Sequence, residues 1–328
     1  MRQSVSVVIP TFNRAAILAK TLAAYLRQDP SGAIAEILVV DDGSVDRTRE
    51  IVEEIQANSP VTIHYHYQQN RGLASARNRA IRNAVGSLIL FGDDDIVPGP
   101  TMIAEHLASH QRFPGTDVGI LGRVAWAPEI KPTPFMEWAG LYGPQFQFGH
   151  FVPDAELDFR HAYFCNTSIK SEVLRNKELF SEDFCTYGWE DIEFSYRLYK
   201  EGWRMRYNAN AVGFHYKYES FSQSLQRVEQ VWRKTWPIYS ATESGKYFAA
   251  LYVRSNPPVR SGKIVWYQSC WSFAKVQIAR FLRKFMDSRI RFPRRVYDFV
   301  WYHHSHILVD EALTKIAARN DDCETAKF

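Results

Sequence analysis

The sequence predicts an α/β protein, with a mixed sheet flanked by helices over residues 1–220 and a helical extension over 221–328. Three observations predict it. Short apolar, β-branched runs alternate with stretches of helical spacing through the first half. Three of those runs stop abruptly in polar clusters. Beyond about His215 the spacing is helical to the end.

Val5–Ile9 (VSVVI) is a strand-forming run closed by Pro10 and a turn, Thr11-Phe12-Asn13-Arg14. Ala15–Leu26 sets Ile17, Leu18, Leu22 and Leu26 at helical steps. Ile37–Val40 is a second buried strand, ending in Asp41-Asp42-Gly43-Ser44, and Asp46–Ile55 follows as a helix with a polar start. Thr62–Tyr67 alternates as a strand, and Leu73–Asn83 is helical. Ser87–Phe91 is another apolar strand, ending in Gly92-Asp93-Asp94-Asp95. Trp126 to Phe151 is rich in Pro, Gly and aromatics and has no period. It is expected to be a long ordered loop of a functional kind, with regular structure resuming near His161. No internal repeat or low-complexity tract is present.

With 328 residues and 46% hydrophobic content the chain can bury a sizeable core. Its four cysteines, at 165, 185, 270 and 323, form no CxxC pair and no disulfide framework, which suits a reducing cytosol. The start, MRQSVSVVIP, has no signal-peptide layout. No apolar run approaches the roughly 18–20 residues that span a bilayer. The expected location is the cytoplasm, with peripheral attachment to the inner face of the cell membrane as an option.

The net charge of +4 is unevenly spread: Arg254 to Arg295 holds eleven Lys/Arg against one acid, Asp287. Ile264, Tyr267, Trp271, Ala274, Ile278, Phe281, Leu282 and Phe285 recur there at three- and four-residue steps, with Lys263, Lys275, Arg280, Arg283 and Lys284 mostly off that stripe. Such a basic amphipathic helix can rest on an anionic membrane surface or pack on the rest of the protein. No nucleic-acid-binding motif accompanies the charge.

In parallel α/β sheets ligands gather at the carboxyl ends of the strands. The clusters Thr11–Arg14, Asp41–Ser44 and Asp93–Asp95 fall there, so one crevice would collect them. Three consecutive carboxylates repel one another unless a cation or donor neutralises them, and hard cations such as Mg2+ or Mn2+ take such ligands and bridge to diphosphate oxygens. A second constellation is Tyr187-Gly188-Trp189-Glu190-Asp191, followed by apolar positions at Ile192, Phe194, Tyr196, Leu198 and Tyr199 of a helix. Glu190 and Asp191 fall at the helix N-terminus, where backbone amides favour an anion. There an ionised carboxylate can act as general base toward a hydroxyl, or both acids can simply cap the helix. His215 closes an apolar run soon afterwards and can either pack or reach the same metal.

Taken in order, Val8-Ile9-Pro10-Thr11-Phe12-Asn13-Arg14, Val39-Val40-Asp41-Asp42-Gly43-Ser44, Asn70-Arg71-Gly72 with Ala76-Arg77-Asn78, Asp93–Asp95 and Gly188–Asp191 resemble the family-2 glycosyltransferases over about two-thirds of the chain. That resemblance implies the GT-A nucleotide-binding (Rossmann-like) fold and transfer of a sugar from a nucleotide-diphosphate donor to a hydroxyl of a glycan or lipid-linked acceptor, with inversion and a divalent metal, Mn2+ or Mg2+. It implies that Pro10, Thr11, Phe12 and Arg14 line the nucleotide pocket and that Asp42 holds the base or ribose. Arg71 and Arg77 lie where the family meets the nucleotide. Asp93 would hold the ribose side, and Asp95, with Asp94, the metal.

Gly188-Trp189-Glu190-Asp191 is also similar to a segment of galactosyl- and N-acetylgalactosaminyl-transferring relatives. That similarity implies a UDP-sugar donor, Asp191 as base with Glu190 beside it, Gly188 and Trp189 at the acceptor, and His215 as a metal ligand. The aromatics of the 126–151 stretch are expected either to offer acceptor platforms or to pack. Gln230-Val231-Trp232-Arg233-Lys234 departs from the Gln-x-x-Arg-Trp motif of processive membrane synthases, which favours a non-processive enzyme. A sugar-nucleotide pyrophosphorylase would want a glycine-rich loop after the first strand, and Pro10–Arg14 has no glycine. A silent scaffold would have lost the base or the aspartates, and both are present.

Overall fold

The structure is a computed structural model, and it describes residues 3–28, 32–143, 145–255 and 266–305. Among the described residues nine strands form one sheet: β1 (Val5–Thr11), β2 (Ile34–Asp41), β3 (Thr62–Tyr67), β4 (Leu88–Gly92), β5 (Ile96–Pro98), β6 (Val118–Trp126), β7 (Glu156–Leu157), β8 (Asn166–Lys170) and β9 (Arg204–His215). The described helices are α1 (Ala15–Leu26), α2 (Thr48–Ala57), α3 (Leu73–Asn83), α4 (Met102–Arg112), α5 (Pro134–Leu141), α6 (Ser171–Leu174), α7 (Glu190–Lys200), α8 (Phe221–Gln230), α9 (Trp236–Ala241), α10 (Glu243–Ser255) and α11 (Trp266–Arg283).

The strand order is β3-β2-β1-β4-β8-β6-β9-β5, with β7 beside β9. The first four run parallel, β8 is antiparallel to both of its neighbours, and β6 and β9 are again parallel. The sheet is therefore mixed, as expected, and helices cover both of its faces. Val8, Leu38, Val40, Ile89 and Phe91 pack on one side with Ala76, Ala80 and Phe194, while Val7, Ile9, Ile37, Val39, Leu88 and Leu90 pack on the other with Leu18, Leu22 and Val52. Burial on both faces explains why these strands read as unbroken apolar runs.

The chain divides into two units. One holds Met1–Lys131 and Gly140–Lys217; the other holds Pro132–Ala139 and Tyr218–Phe328. The expected long loop at 126–151 is largely regular structure. β6 runs on to Trp126 because it stays paired with β9 as far as His215. Pro134 begins α5, where its missing N–H costs nothing. Of the aromatics of this stretch, Phe135, Trp138, Phe146 and Phe148 are buried, and Trp126, Tyr142 and Phe151 are half-buried. In the first unit Phe146 and Phe148 pack against one another at a tilt, and both meet Tyr163 edge to face. Trp138 belongs to the second unit, where its indole donates to Asp298 at 2.9 Å and stacks on Tyr297.

In the second unit Val231–Thr235, which overlaps the 230–234 segment that departs from the synthase motif, is a π-helical turn between α8 and α9. The basic stripe lies on α11, but Ile264 and Lys263, and the side chains of Tyr267, Trp271 and Ala274, are outside the described residues. Of the rest, Ile278 and Phe281 are 51% and 60% exposed, while Ala279 and Met286 are buried. Among the described residues no helix is long and apolar enough to cross a membrane.

Candidate active site

β1, β2 and β4 are adjacent and parallel, so their carboxyl ends open on the same side and the three polar clusters meet. Asn13 bridges the first two: its N–H donates to Ser44 Oγ at 2.8 Å and its Oδ1 accepts from Val45 N at 2.8 Å. Arg14 Nη1 reaches Asp94 at 2.9 Å and Asp95 at 2.6 Å. Pro10 is buried within β1, whereas Phe12, just beyond it, is 45% exposed at the mouth.

The three aspartates face different partners. Asp94 accepts from Thr11 Oγ1 at 2.8 Å as well as from Arg14, and its carbonyl takes Thr21 Oγ1 at 2.7 Å. It is 4% exposed, and burial pushes its carboxyl up to about 7 against the pull of Arg14. Thr11 and Asp94, expected to face a ligand, thus fasten β4 to β1. Asp93 turns toward α3 and meets Arg77 Nη2 at 3.3 Å. Asp95 lies 3.5 Å from His215 Nε2. Burial works to raise its carboxyl, but His215 and Arg14 overcome that and hold it down to about 2. β5 pairs with the end of β9, and Tyr216 N donates to the Asp95 carbonyl at 2.8 Å, so the backbone itself sets the Asp95–His215 approach. The imidazole is stacked on Trp126 at 5.0 Å, and its Nδ1 has no hydrogen-bond partner among the described residues.

Asp42 anchors the loop between β3 and α3. Its carboxylate accepts from Gln68 Nε2 at 2.8 Å, Arg71 N at 2.9 Å and Gly72 N at 2.8 Å. The Arg71 side chain is exposed and paired with Glu182 at 2.7 Å. Gly72 has φ +91 and lies so close to Cys185 that an added Cβ would sit 2.8 Å from its carbonyl oxygen. Glycine is required there on both counts, and this contact seats the segment leading to α7.

That segment turns sharply: Gly188 has φ 120 and Trp189 has φ 69. The turn aims the N-terminus of α7, with Glu190 and Asp191 in its first turn, at the aspartates. Glu190 folds back to accept Gly188 N–H at 2.7 Å and is 3% exposed. Its carboxyl, expected beside Asp191 in the chemistry, is engaged by the turn. Asp191 accepts from Arg77 Nη1 at 2.7 Å and from Phe164 N at 3.2 Å, and its side chain keeps 26% of its surface. Burial raises its carboxyl, and Arg77 opposes that rise.

Neither the Phe164 backbone contacts nor the Asn13–Ser44 clasp is evident from the sequence. Backbone groups carry no signal in residue type. Asn13 could have been found from its place in a strand-end turn, where Asn tolerates positive φ, here 54.

The profile of Glycosyl transferase family 2 matches residues 6–174. Among curated relatives, the chain is similar to validoxylamine A glucosyltransferase of Streptomyces hygroscopicus subsp. jinggangensis, with 31% identity over 237 residues. That match covers 65% of this chain and 56% of the relative, so the chain spans little more than half the relative's length. Among solved structures it is similar to the mannosyltransferase PcManGT from Pyrobaculum calidifontis in complex with GDP-Man and Mn2+, with TM-score 0.57, 15% identity and coverage of 94% of this chain and 87% of that one. It is also similar to S. aureus TarS 1–349 in complex with UDP-GlcNAc, with TM-score 0.55, 18% identity and coverage of 95% and 92%.

Proposed function

The chain belongs to glycosyl transferase family 2, and we propose that it is an inverting, divalent-metal-dependent transferase that moves a sugar from a UDP-sugar to a hydroxyl of a glycan or lipid-linked acceptor. The single observation that carries this reading is that one buried guanidinium, Arg77, touches both Asp93 and Asp191. It joins the donor-side aspartates and the helix-end carboxylate in one crevice.

The donor set fits a hard divalent ion. Asp95 Oδ1 and His215 Nε2 stand 3.5 Å apart, a separation that two ligands of one ion can span. No group of three or more His, Cys, Asp or Glu side chains that could hold an ion occurs among the described residues. Diphosphate oxygens and water would complete the coordination, as Mg2+-type ions prefer. When bound there, the ion would neutralise charge on the departing diphosphate.

The remaining work falls to the chain itself. Asp191, open on one side, accepts the proton of the acceptor hydroxyl as that oxygen attacks the anomeric carbon. Pro10, Phe12, Arg14, Asp42, Arg71 and Asp93 frame the nucleotide, with Thr11 and Asp94 bracing them. Gly188 and Trp189 border the acceptor, and Glu190 holds their turn. One fold relative is a complex with UDP-GlcNAc and another a complex with GDP-Man and Mn2+, which supports a nucleotide-sugar donor without fixing the base. In the second unit, exposed Ile278 and Phe281 among exposed Lys275, Arg280, Arg283 and Lys284 suit peripheral contact with an anionic membrane.

The test is calorimetric titration with UDP, GDP and dTDP, with and without Mn2+. UDP is expected to bind only with metal, and Asp95→Ala to abolish that binding. A folded protein that binds none of the three sinks the proposal.

A further inference from the structure

Arg77 stands where the family meets the nucleotide, yet its surroundings point elsewhere. It lies mid-way along α3 and its side chain is 2% exposed. Nη1 donates to Asp191 at 2.7 Å, and Nη2 donates to the Phe164 carbonyl at 2.7 Å and to Asp93 at 3.3 Å. The Phe164 backbone closes the figure, since its carbonyl accepts from Arg77 and its N–H donates to Asp191. The face of Phe180 lies 5.5 Å from the guanidinium. The exposed surfaces of the group are those of the carboxylates, 29% for Asp93 and 26% for Asp191. A donor can therefore reach Asp93 and an acceptor can reach Asp191, with the cation sealed beneath both.

We propose that Arg77 is a positioning residue, not a nucleotide ligand: its fork fixes Asp191 at a set distance and orientation from Asp93 and keeps it ionised for proton transfer. The inference rests on Asp191 being the general base. A planar guanidinium, with Nη1 on Asp191 and Nη2 on Asp93 at a fixed separation, suits this task and a lysine does not, because an ammonium is a point charge without fixed geometry. Among the described residues, the titratable groups that interact with Asp191 are Arg77 from α3, Asp93 from the end of β4, Cys165 from the segment before β8, and Glu190 from its own helix. Arg77 is the one cation among them.

The experiment uses the full chain. UDP affinity in the presence of Mn2+ is measured calorimetrically, and hydrolysis of UDP-glucose, UDP-galactose, UDP-GlcNAc and UDP-GalNAc is followed against pH. Arg77→Lys is expected to keep the UDP Kd within about threefold, to lower kcat for hydrolysis by on the order of tenfold or more, and to move the acid limb of the kcat profile upward. A tenfold or greater loss of UDP affinity with kcat unchanged at saturation would overturn the proposal. Should Arg77→Lys fail to fold, the paired variant Arg77→Gln with Asp191→Asn removes both charges. Unchanged UDP affinity then supports the positioning role, and a tenfold loss refutes it. Absence of UDP binding by the unaltered protein would instead count against the transferase reading as a whole.

Discussion

α4 carries two histidines, His106 and His110, one helical turn apart and both 1% exposed. They close on a single hydroxyl of β8. Ser168 Oγ lies 2.8 Å from His106 Nδ1 and 2.8 Å from His110 Nε2, and Asn166 Oδ1 lies 2.9 Å from His106 Nε2. Burial pushes His106 down to about 4 and His110 down to about 3. In an unfolded chain both take up a proton near ~6.5. The unfolded state thus binds more protons as pH falls, and stability declines below that value until the folded imidazoles themselves titrate. Each such histidine contributes a slope of about 1.4 kcal/mol per pH unit. By pH ~4 the pair removes on the order of 5 kcal/mol, a large share of the margin that holds a domain together.

Asp93, Asp94 and Glu190, raised by burial, act in the opposite sense, so the comparison must be between variants. His110→Gln keeps a polar partner for Ser168 and cannot titrate. Unfolding free energies from urea titrations, repeated across the acid range, should give His110→Gln a slope flatter than wild type by about 1.4 kcal/mol per pH unit. Parallel curves would falsify the reasoning. The consequence extends to the crevice, because Asn166 pairs with Gly92, the residue before Asp93.

Two further outcomes are expected. Asp191→Asn should leave metal-dependent UDP affinity within about twofold and lower sugar transfer or donor hydrolysis by roughly 10²–10⁴-fold; a comparable loss of UDP affinity would reassign the residue to the donor. Ile278→Glu with Phe281→Glu should weaken co-sedimentation with phosphatidylglycerol vesicles at low salt without altering UDP binding; unchanged sedimentation would mean that this face does not meet lipid.

Much of the fold was legible because its signals are local. Strands β1 to β4 and helices α1 to α3 fall close to where apolar runs, alternation and helical spacing put them: β1, β2 and β4 are buried on both faces and read as consecutive apolar residues, while the half-exposed β3 reads as alternation. The 126–151 stretch was illegible because aromatic, proline-rich sequence has no period: pairing with β9 carries β6 only to Trp126, and the rest is the short helix α5 between single 3-10 turns. The amphipathic stripe was legible only as spacing: Ile278 and Phe281 lie in solvent while Ala279 is buried, because helix orientation is set by neighbours.

For the site, the sequence by itself determined which chemical groups are available and that strand ends would collect them: three aspartates after β4, two acids opening α7, a histidine closing β9. The tertiary structure alone decided how they divide the work. Asp94 turns to Thr11 and Arg14, Glu190 turns to its own loop, Asp95 meets His215, and Arg77 reaches Asp191 across 114 residues of sequence. Residue spacing fixes which face of an element a side chain occupies. Its partner, however, is chosen by the order of strands in the sheet and by which polar groups burial leaves needing one.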